Sequence, residues 1–77
     1  MKEIKIMLSN VENIRNFVNE VILVSYDVDL MQGRYTIDAK SIMGIFSLDL
    51  SKPIKVEVHS DRDEAQAFIN SINHLIK

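Results

Sequence analysis

Serine, histidine and carboxylate side chains are the groups in this chain that could carry or transfer a phosphate or a proton. Ser41 has the most informative surroundings, because it directly precedes an apolar run at residues 42–46. A serine at such a boundary is typical of a helix N-cap, whose oxygen accepts a hydrogen bond from a free N–H of the first turn. That end of a helix carries partial positive charge and tolerates a phosphate. The sequence therefore predicts that Ser41 begins a short helix and can carry a phosphate.

The histidines and carboxylates show no pattern that points to catalysis. His59 falls on the polar face of a predicted strand and His74 near the end of a predicted helix, and two such distant histidines do not predict a metal site. No carboxylate pair has the spacing or the apolar flanks of acid–base catalysis, and no serine lies in a nucleophile-elbow context. The chain has no cysteine. We therefore predict a protein that is not an enzyme and that holds neither a metal ion nor a cofactor.

Length and charge limit the remaining functions. The chain has 77 residues, which suits one small domain, and 47% of them are hydrophobic. The net charge is −2 and the basic residues are scattered, which argues against direct binding of nucleic acid. No apolar run approaches the ~20 residues of a membrane span, and the first residues lack the apolar block of a signal peptide. We therefore expect a cytoplasmic protein that does not bind membranes.

The spacing of apolar residues predicts seven elements in the order β-α-β-β-α-β-α. Alternation predicts strands near residues 4–8, 26–30, 35–37 and 54–58, with Gly33 in a tight turn between the second and third. Ser9 with Glu12 forms a plausible capping box for the first helix, with Asn10 as an alternative cap, and Ser60 with Asp63 resembles another before the last helix. The second helix is expected from Ser41 to about residue 48. The stripes of the two longer helices are Val11, Ile14, Phe17, Val18, Val21 and Ile22, and Ala65, Phe68, Ile69, Ile72, Leu75 and Ile76.

Every predicted strand has one apolar face, which favours an antiparallel sheet covered by helices on that face alone. The predicted fold class is α+β, a two-layer open-faced sandwich of four antiparallel strands and three helices, as a single domain over residues 1–77. This architecture hosts many functions. The predicted core contains Ile4, Ile6, Phe17, Val21, Val28, Ile37, Ile54, Val56, Phe68 and Ile72.

The segment Asp38-Ala39-Lys40-Ser41-Ile42-Met43-Gly44, followed by Ser47-Leu48, resembles the regulatory-serine segment of the HPr family. These proteins are the small phosphocarriers of the bacterial sugar phosphotransferase system, and their element order is the one predicted here. In many Gram-positive bacteria a dedicated kinase phosphorylates the family's serine, and the apolar residues after it dock onto partner proteins. The resemblance implies that Ser41 is a regulatory phosphorylation site and that Ile42, Met43 and Phe46 bind a partner.

The family's second signature is missing from this chain. It is a histidine at the start of the first helix, followed two residues later by an arginine and then a proline. Counting back from Ser41 without gaps, these positions fall on Asn10, Glu12 and Asn13. An amide is not a usable phosphoryl acceptor because its nitrogen lone pair is delocalised, and Glu12 would repel a phosphate. The chain is thus most similar to the histidine-lacking, catabolite-repression branch, in which the serine-phosphorylated form is a corepressor of a transcription regulator.

Three functions remain open at this point. The first is a regulatory interaction protein, with HPr kinase, a transcription regulator or phosphotransferase components as its protein partners. The second is a phosphocarrier, which would need a nucleophile that the sequence does not show. The third is a degenerate HPr domain that has lost both phosphorylations. The intact surroundings of Ser41 favour the first. Asp49 and Pro53 stand where the family commonly has small residues or glycine, and Asp49 adds a negative charge beside the docking surface.

Overall fold

A computed structural model describes residues 1–76 as one sheet with helices packed against it. The elements follow the predicted order, and a short 3-10 helix, Asn73–Leu75, comes after the last α-helix. They are β1 (Lys2–Ile6), α1 (Val11–Val21), β2 (Val28–Gln32), β3 (Tyr35–Asp38), α2 (Ile42–Phe46), β4 (Ile54–Val58) and α3 (Asp63–Ser71).

The four strands form one sheet in the order β1-β4-β2-β3, and all neighbouring strands are antiparallel. β4 lies in the interior of the sheet, where Val56 pairs with Ile4 on one side and with Leu30 on the other. A tight turn joins β2 to β3, and Gly33 adopts a φ of 60° there, as the sequence predicted. The predicted α+β open-faced sandwich is confirmed.

The core lies between the sheet and the helices. Side chains alternate along β4, so that Ile54, Val56 and Val58 are buried while Lys55 and Glu57 lie on the opposite face. The rings of Phe17 and Phe68 join α1 to α3, with their centroids 6.4 Å apart and tilted by 59°. Among the predicted core residues, Ile4 and Ile37 are half-buried against the core and the others are buried.

The predicted apolar stripe of α1 was too wide. Ile14, Phe17 and Val21 are its buried residues, whereas Val11 and Ile22 are more than half exposed. Val11 is the first helical residue and Ile22 is the C-cap, so both lie at the ends of the helix, beyond its packed middle.

Both limits of the last helix also differ from the prediction. The helix begins after Arg62, whose side chain makes no capping hydrogen bond. The Ser60 hydroxyl instead accepts a hydrogen bond from the Arg62 N–H at 3.2 Å, so the predicted Ser60–Asp63 capping box is wrong. At the other end, Ile72 leaves helical geometry, with φ −109° and ψ 15°. Residues 75 and 76 lie against β1 instead: the Leu75 carbonyl accepts from the Met7 N–H at 2.9 Å, and the next residue forms an isolated bridge with Ile6.

Candidate functional site

Ser41 is the N-cap of α2, and its side chain is exposed. Its Oγ accepts a hydrogen bond from the Gly44 N–H at 3.1 Å, and its own N–H donates to the Asp38 carbonyl at 2.9 Å. The Asp38 carboxylate accepts from the Lys40 N–H at 2.8 Å, which fixes the turn before the helix. The hydroxyl of Ser41 is therefore held at the surface by backbone groups on both sides.

Gly44 allows the close approach on which this cap depends. A Cβ at that position would lie 3.1 Å from Ser41 Oγ and 3.2 Å from Ile37 Cδ1. Both distances are shorter than ordinary van der Waals contacts, so a larger residue would displace the cap or the side chain beneath it. The sequence pattern contained this glycine, but only the tertiary structure shows what it contacts.

Three large apolar side chains of α2 are exposed directly after Ser41. They are Ile42 at 45%, Met43 at 82% and Phe46 at 51% relative exposure, and we call them the α2 apolar surface. Ile45 and Leu48 are buried beneath the helix. The apolar residues of this segment are thus divided between an exposed and a buried face. This is expected because a helix of one and a half turns cannot turn all of them toward the core. α2 spans Ile42–Phe46, which is shorter than the predicted extent to residue 48.

The start of α1, where the resemblance would require a histidine, is occupied by Asn10. Asn10 is the N-cap, and its Oδ1 accepts a hydrogen bond from the Asn13 N–H at 2.8 Å. The structure therefore uses the alternative cap, and not the Ser9–Glu12 capping box. Glu12 is exposed in the first turn, where a carboxylate is favourable for the helix but unfavourable for a phosphate.

The two histidines occupy neither of the helix starts just described. The His59 Nε2 is 2.9 Å from Asp29 Oδ2 on the uncovered face of the sheet. His74 is exposed in the 3-10 helix near the end of the described residues. Neither is the N-cap of an α-helix, the position that Asn10 and Ser41 hold.

Asp49 lies in the loop after α2 and is engaged locally. Its carboxylate accepts hydrogen bonds from the Ser51 hydroxyl at 2.6 Å and the Ser51 N–H at 3.1 Å. These two donors, with the nearby Lys52 ammonium, hold the pKa of Asp49 below its ordinary value. Gln32 Oε1 accepts a hydrogen bond from the Asp49 N–H at 2.7 Å, and Gln32 Nε2 donates one to the Asp49 carbonyl at 2.8 Å. These two bonds connect the loop to the β2–β3 turn. No local pattern in the sequence predicts this contact between the loop and the turn.

Comparison with known proteins identifies the family that has this fold. The family model described as the PTS HPr component phosphorylation site matches residues 11–77. The chain belongs to the HPr family. Members of this family are phosphocarrier proteins and are not enzymes.

Solved HPr structures have the same fold as this HPr-family chain. The crystal structure of HPr-C-His from Thermoanaerobacter tengcongensis is 29% identical, with a TM-score of 0.74, and the match covers 95% of this chain and 92% of that one. The phosphocarrier protein HPr from Bacillus anthracis is 23% identical with a TM-score of 0.70, over 99% and 94% of the two chains. A mycoplasma histidine-containing phosphocarrier protein, at 18% identity, has a TM-score of 0.70 over 99% and 97%. The last two matches show the fold alone.

A search of curated proteins returned no match. Within residues 1–76, no helix has the length and apolar character needed to cross a membrane.

Proposed function

We propose that this chain is a regulatory, protein-interaction member of the HPr family. In this proposal Ser41 is the phosphorylation site, the α2 apolar surface is the docking site, and residues 1–77 form one domain that acts in the bacterial cytoplasm. The observation that carries the proposal is the exposure of Ser41 beside three exposed apolar side chains on the same helix.

Phosphorylation of Ser41 would change this surface without changing the fold. A phosphoserine carries about −1.5 to −2 charges at pH 7. Ser41 Oγ already faces the first-turn N–H of Gly44, so the added charge lies on the favourable side of the helix. A partner docked on Ile42, Met43 and Phe46 would meet that charge at the edge of its interface. Its affinity or association rate then responds to the modification through altered electrostatic complementarity.

A phosphocarrier function has less support at the level of residues. Asn10 and Glu12 occupy the positions where the family's histidine and arginine would fall, and the amide of Asn10 is already used as the α1 cap. We therefore propose that this chain does not carry phosphate between enzymes. Its protein partners would instead be an HPr kinase and a transcription regulator or a phosphotransferase component.

Treatment with HPr kinase and ATP, followed by mass spectrometry, tests the site. We expect one phosphate on Ser41. Ser41→Ala should abolish it, and Ser47→Ala should not, because Ser47 is also exposed but lies at the other end of α2. If Ser41 stays unmodified while a known HPr is phosphorylated in the same tube, the degenerate-domain alternative is favoured.

Incubation with enzyme I and phosphoenolpyruvate tests the carrier alternative. We expect no acid-labile phosphate on this chain. Its detection would contradict the proposal, and His59→Gln and His74→Gln variants would then locate the accepting residue.

Binding of the phosphorylated chain to a catabolite-repression transcription regulator tests the docking site. We expect Met43→Asp to weaken binding at least tenfold, because it places a charge at the most exposed position of the α2 apolar surface. Leu23→Asp is the matched control, since Leu23 is 77% exposed but follows α1. Equal losses in both variants would contradict docking through α2.

A further inference from the structure

The uncovered face of the sheet carries four carboxylates in one row. The strand register pairs Glu3 with Glu57, Glu57 with Asp29, and Asp29 with Asp38. Directly paired residues of antiparallel strands project from the same face, with Cβ atoms about 4.5–5.5 Å apart. Like charges at such positions destabilise a sheet. This row is therefore a place where a bound cation would be favourable.

His59 adds an imidazole nitrogen, a different kind of ligand atom, beside the carboxylates in the middle of this row. His59 lies two residues after Glu57 on the same face, and its Nε2 is 2.9 Å from Asp29 Oδ2. The ligand atoms of Asp29, Glu57 and His59 all lie within 4.8 Å of one another. Zn–N and Zn–O bonds are about 2.0–2.2 Å long, which places two ligand atoms of one ion about 3.5 Å apart. The three ligand atoms, within 4.8 Å of one another, are already near that spacing.

We propose that Asp29, Glu57 and His59 bind a divalent transition-metal ion of the Zn²⁺ type on the uncovered face. The imidazole would bind through the Nε2 lone pair in its Nδ1–H tautomer, and water would complete a tetrahedral site. An imidazole in the ligand set selects Zn²⁺ over Mg²⁺ and Ca²⁺, which prefer oxygen ligands. The proposal departs from the sequence-based expectation of no metal site, which considered only His59 together with the distant His74.

The surroundings of the three ligands favour a fixed site. Asp29 and Glu57 lie on β2 and β4, which are both interior strands, and the Glu57 side chain is only 16% exposed. Lys55 competes with a metal ion here: its Nζ lies 3.9 Å from Glu57 Oε2 and 3.8 Å from Glu3 Oε2. Removal of the Lys55 ammonium should therefore increase the affinity for the metal ion. A variant of Lys55 thus tests the proposal by a gain of affinity, whereas variants of the ligands test it by a loss.

Calorimetric titration of the intact, chelator-treated protein with ZnCl2 tests the site, with Tm as a second measurement. We expect one Zn²⁺ per chain, a higher Tm in its presence, and no comparable response to MgCl2. His59→Gln and Asp29→Asn should each weaken binding at least tenfold. His74→Gln, which removes the other exposed histidine, should bind as wild type does. Lys55→Gln should bind about threefold tighter.

Three results would overturn the proposal. They are the absence of saturable Zn²⁺ binding by the wild-type chain, wild-type affinity in His59→Gln, and equal losses in His59→Gln and His74→Gln. Because His59 and Asp29 are exposed or half-buried at the surface, their variants are expected to fold. The NMR spectrum of each metal-free variant tests this independently. Shifts of the Asp29, Glu57 and His59 amides on Zn²⁺ addition then assign the ligands.

Discussion

The side chain of Asn10 occupies a backbone N–H at the start of α1 that a different residue could leave free. Its Oδ1 accepts the Asn13 N–H at 2.8 Å, which satisfies one of the free donors at the start of α1. A histidine is a poorer cap than an asparagine and would leave that donor available to a phosphate. Under the proposed function, the Asn10 cap uses a backbone donor that a phosphate at this position would otherwise bind.

Restoring the two family residues should partly restore phosphate acceptance. We expect Asn10→His combined with Glu12→Arg to accept phosphate weakly from phosphoenolpyruvate through enzyme I, with the wild-type chain as the negative control. Loss of the cap should lower the free energy of unfolding by about 1 kcal/mol. Acid-labile label and urea denaturation measure the two effects. A double variant that folds but accepts no phosphate would mean that the backbone of the site has also diverged.

Asp49 should make stability depend on pH in the acid range. Its pKa lies below the ordinary 3.8 because the Ser51 hydroxyl and N–H donate to the carboxylate. A carboxyl with a lowered folded-state pKa adds stability above its unfolded-state pKa and loses it as pH falls through the folded-state value. We expect this contribution to be present at pH 7 and lost progressively below pH ~4. Ser51→Ala should raise the pKa of Asp49 toward 3.8, as measured by an NMR titration of its side chain; an unchanged titration would contradict this account.

At the scale of single residues, the sequence predicts those features that depend on residues adjacent in the chain. The Ser41 cap was predicted because a serine and the helix that follows it are adjacent in the chain. The Asn10 cap was only an alternative, because Ser9 and Asn10 are both good capping residues. The group formed by Asp29, Glu57 and His59 was missed, because the strand register that brings it together is not written in any local pattern.

At the scale of the elements, the β2–β3 turn requires Gly33 for its positive φ, whereas α2 requires Gly44 for its close contacts. Substitution of each glycine by alanine should distinguish these two requirements. Gly33→Ala meets no close atom but must keep a φ of 60°, so we expect a loss of about 1–2 kcal/mol without an effect on Ser41. Gly44→Ala gains up to ~1 kcal/mol of helix propensity. That gain is offset by the contacts at 3.1 and 3.2 Å.

The measurements are urea denaturation and the rate of Ser41 phosphorylation by HPr kinase. Gly44→Ala should stay within about 0.5 kcal/mol of wild type, because propensity and crowding oppose each other. It should nevertheless slow phosphorylation, because the new methyl group displaces Ser41 Oγ. If Gly33→Ala slowed phosphorylation equally, the contact between Gly44 and Ser41 would not be the cause.

The ends of the elements were predicted less well than their existence. The stripe through Phe68 and Ile72 continued to Ile76 with no glycine or proline to interrupt it, so the sequence predicted one long helix. The chain instead leaves the helix at Ile72, and Ile76 forms a bridge with Ile6. A contact with a strand some 70 residues earlier decides this boundary, and helical periodicity contains no information about it.

At the scale of the whole molecule, stability should depend on the packing of the hydrophobic core between the sheet and the helices. Phe17 of α1 is fully buried, and its ring packs against that of Phe68 of α3. We expect Phe17→Ala to lower the free energy of unfolding by about 3–5 kcal/mol. Leu23→Ala, at a 77% exposed position, should change it by less than ~0.5 kcal/mol. Urea denaturation measures both, and a loss below 1 kcal/mol in Phe17→Ala would mean that the ring is not part of the core in solution.

The fold class followed from simple alternation. One-sided strands such as the one through Ile54, Val56 and Val58 require a sheet with a single covered face, and the structure has it. The strand order did not follow in the same way. Each strand has an equivalent apolar face, so alternation alone does not say which strands are neighbours.

That strand order has a consequence for how the protein forms during its synthesis. β4 comes after the other three strands in sequence, but it is the partner of both β1 and β2. Until residues 54–58 have left the ribosome, β2 and β3 are the only described strands able to pair, and β1 has no partner. Until then the nascent chain holds an unpaired β1 and an uncovered apolar face, a state in which chaperones bind and aggregation begins. Completion of the sheet thus waits for the synthesis of residues 54–58.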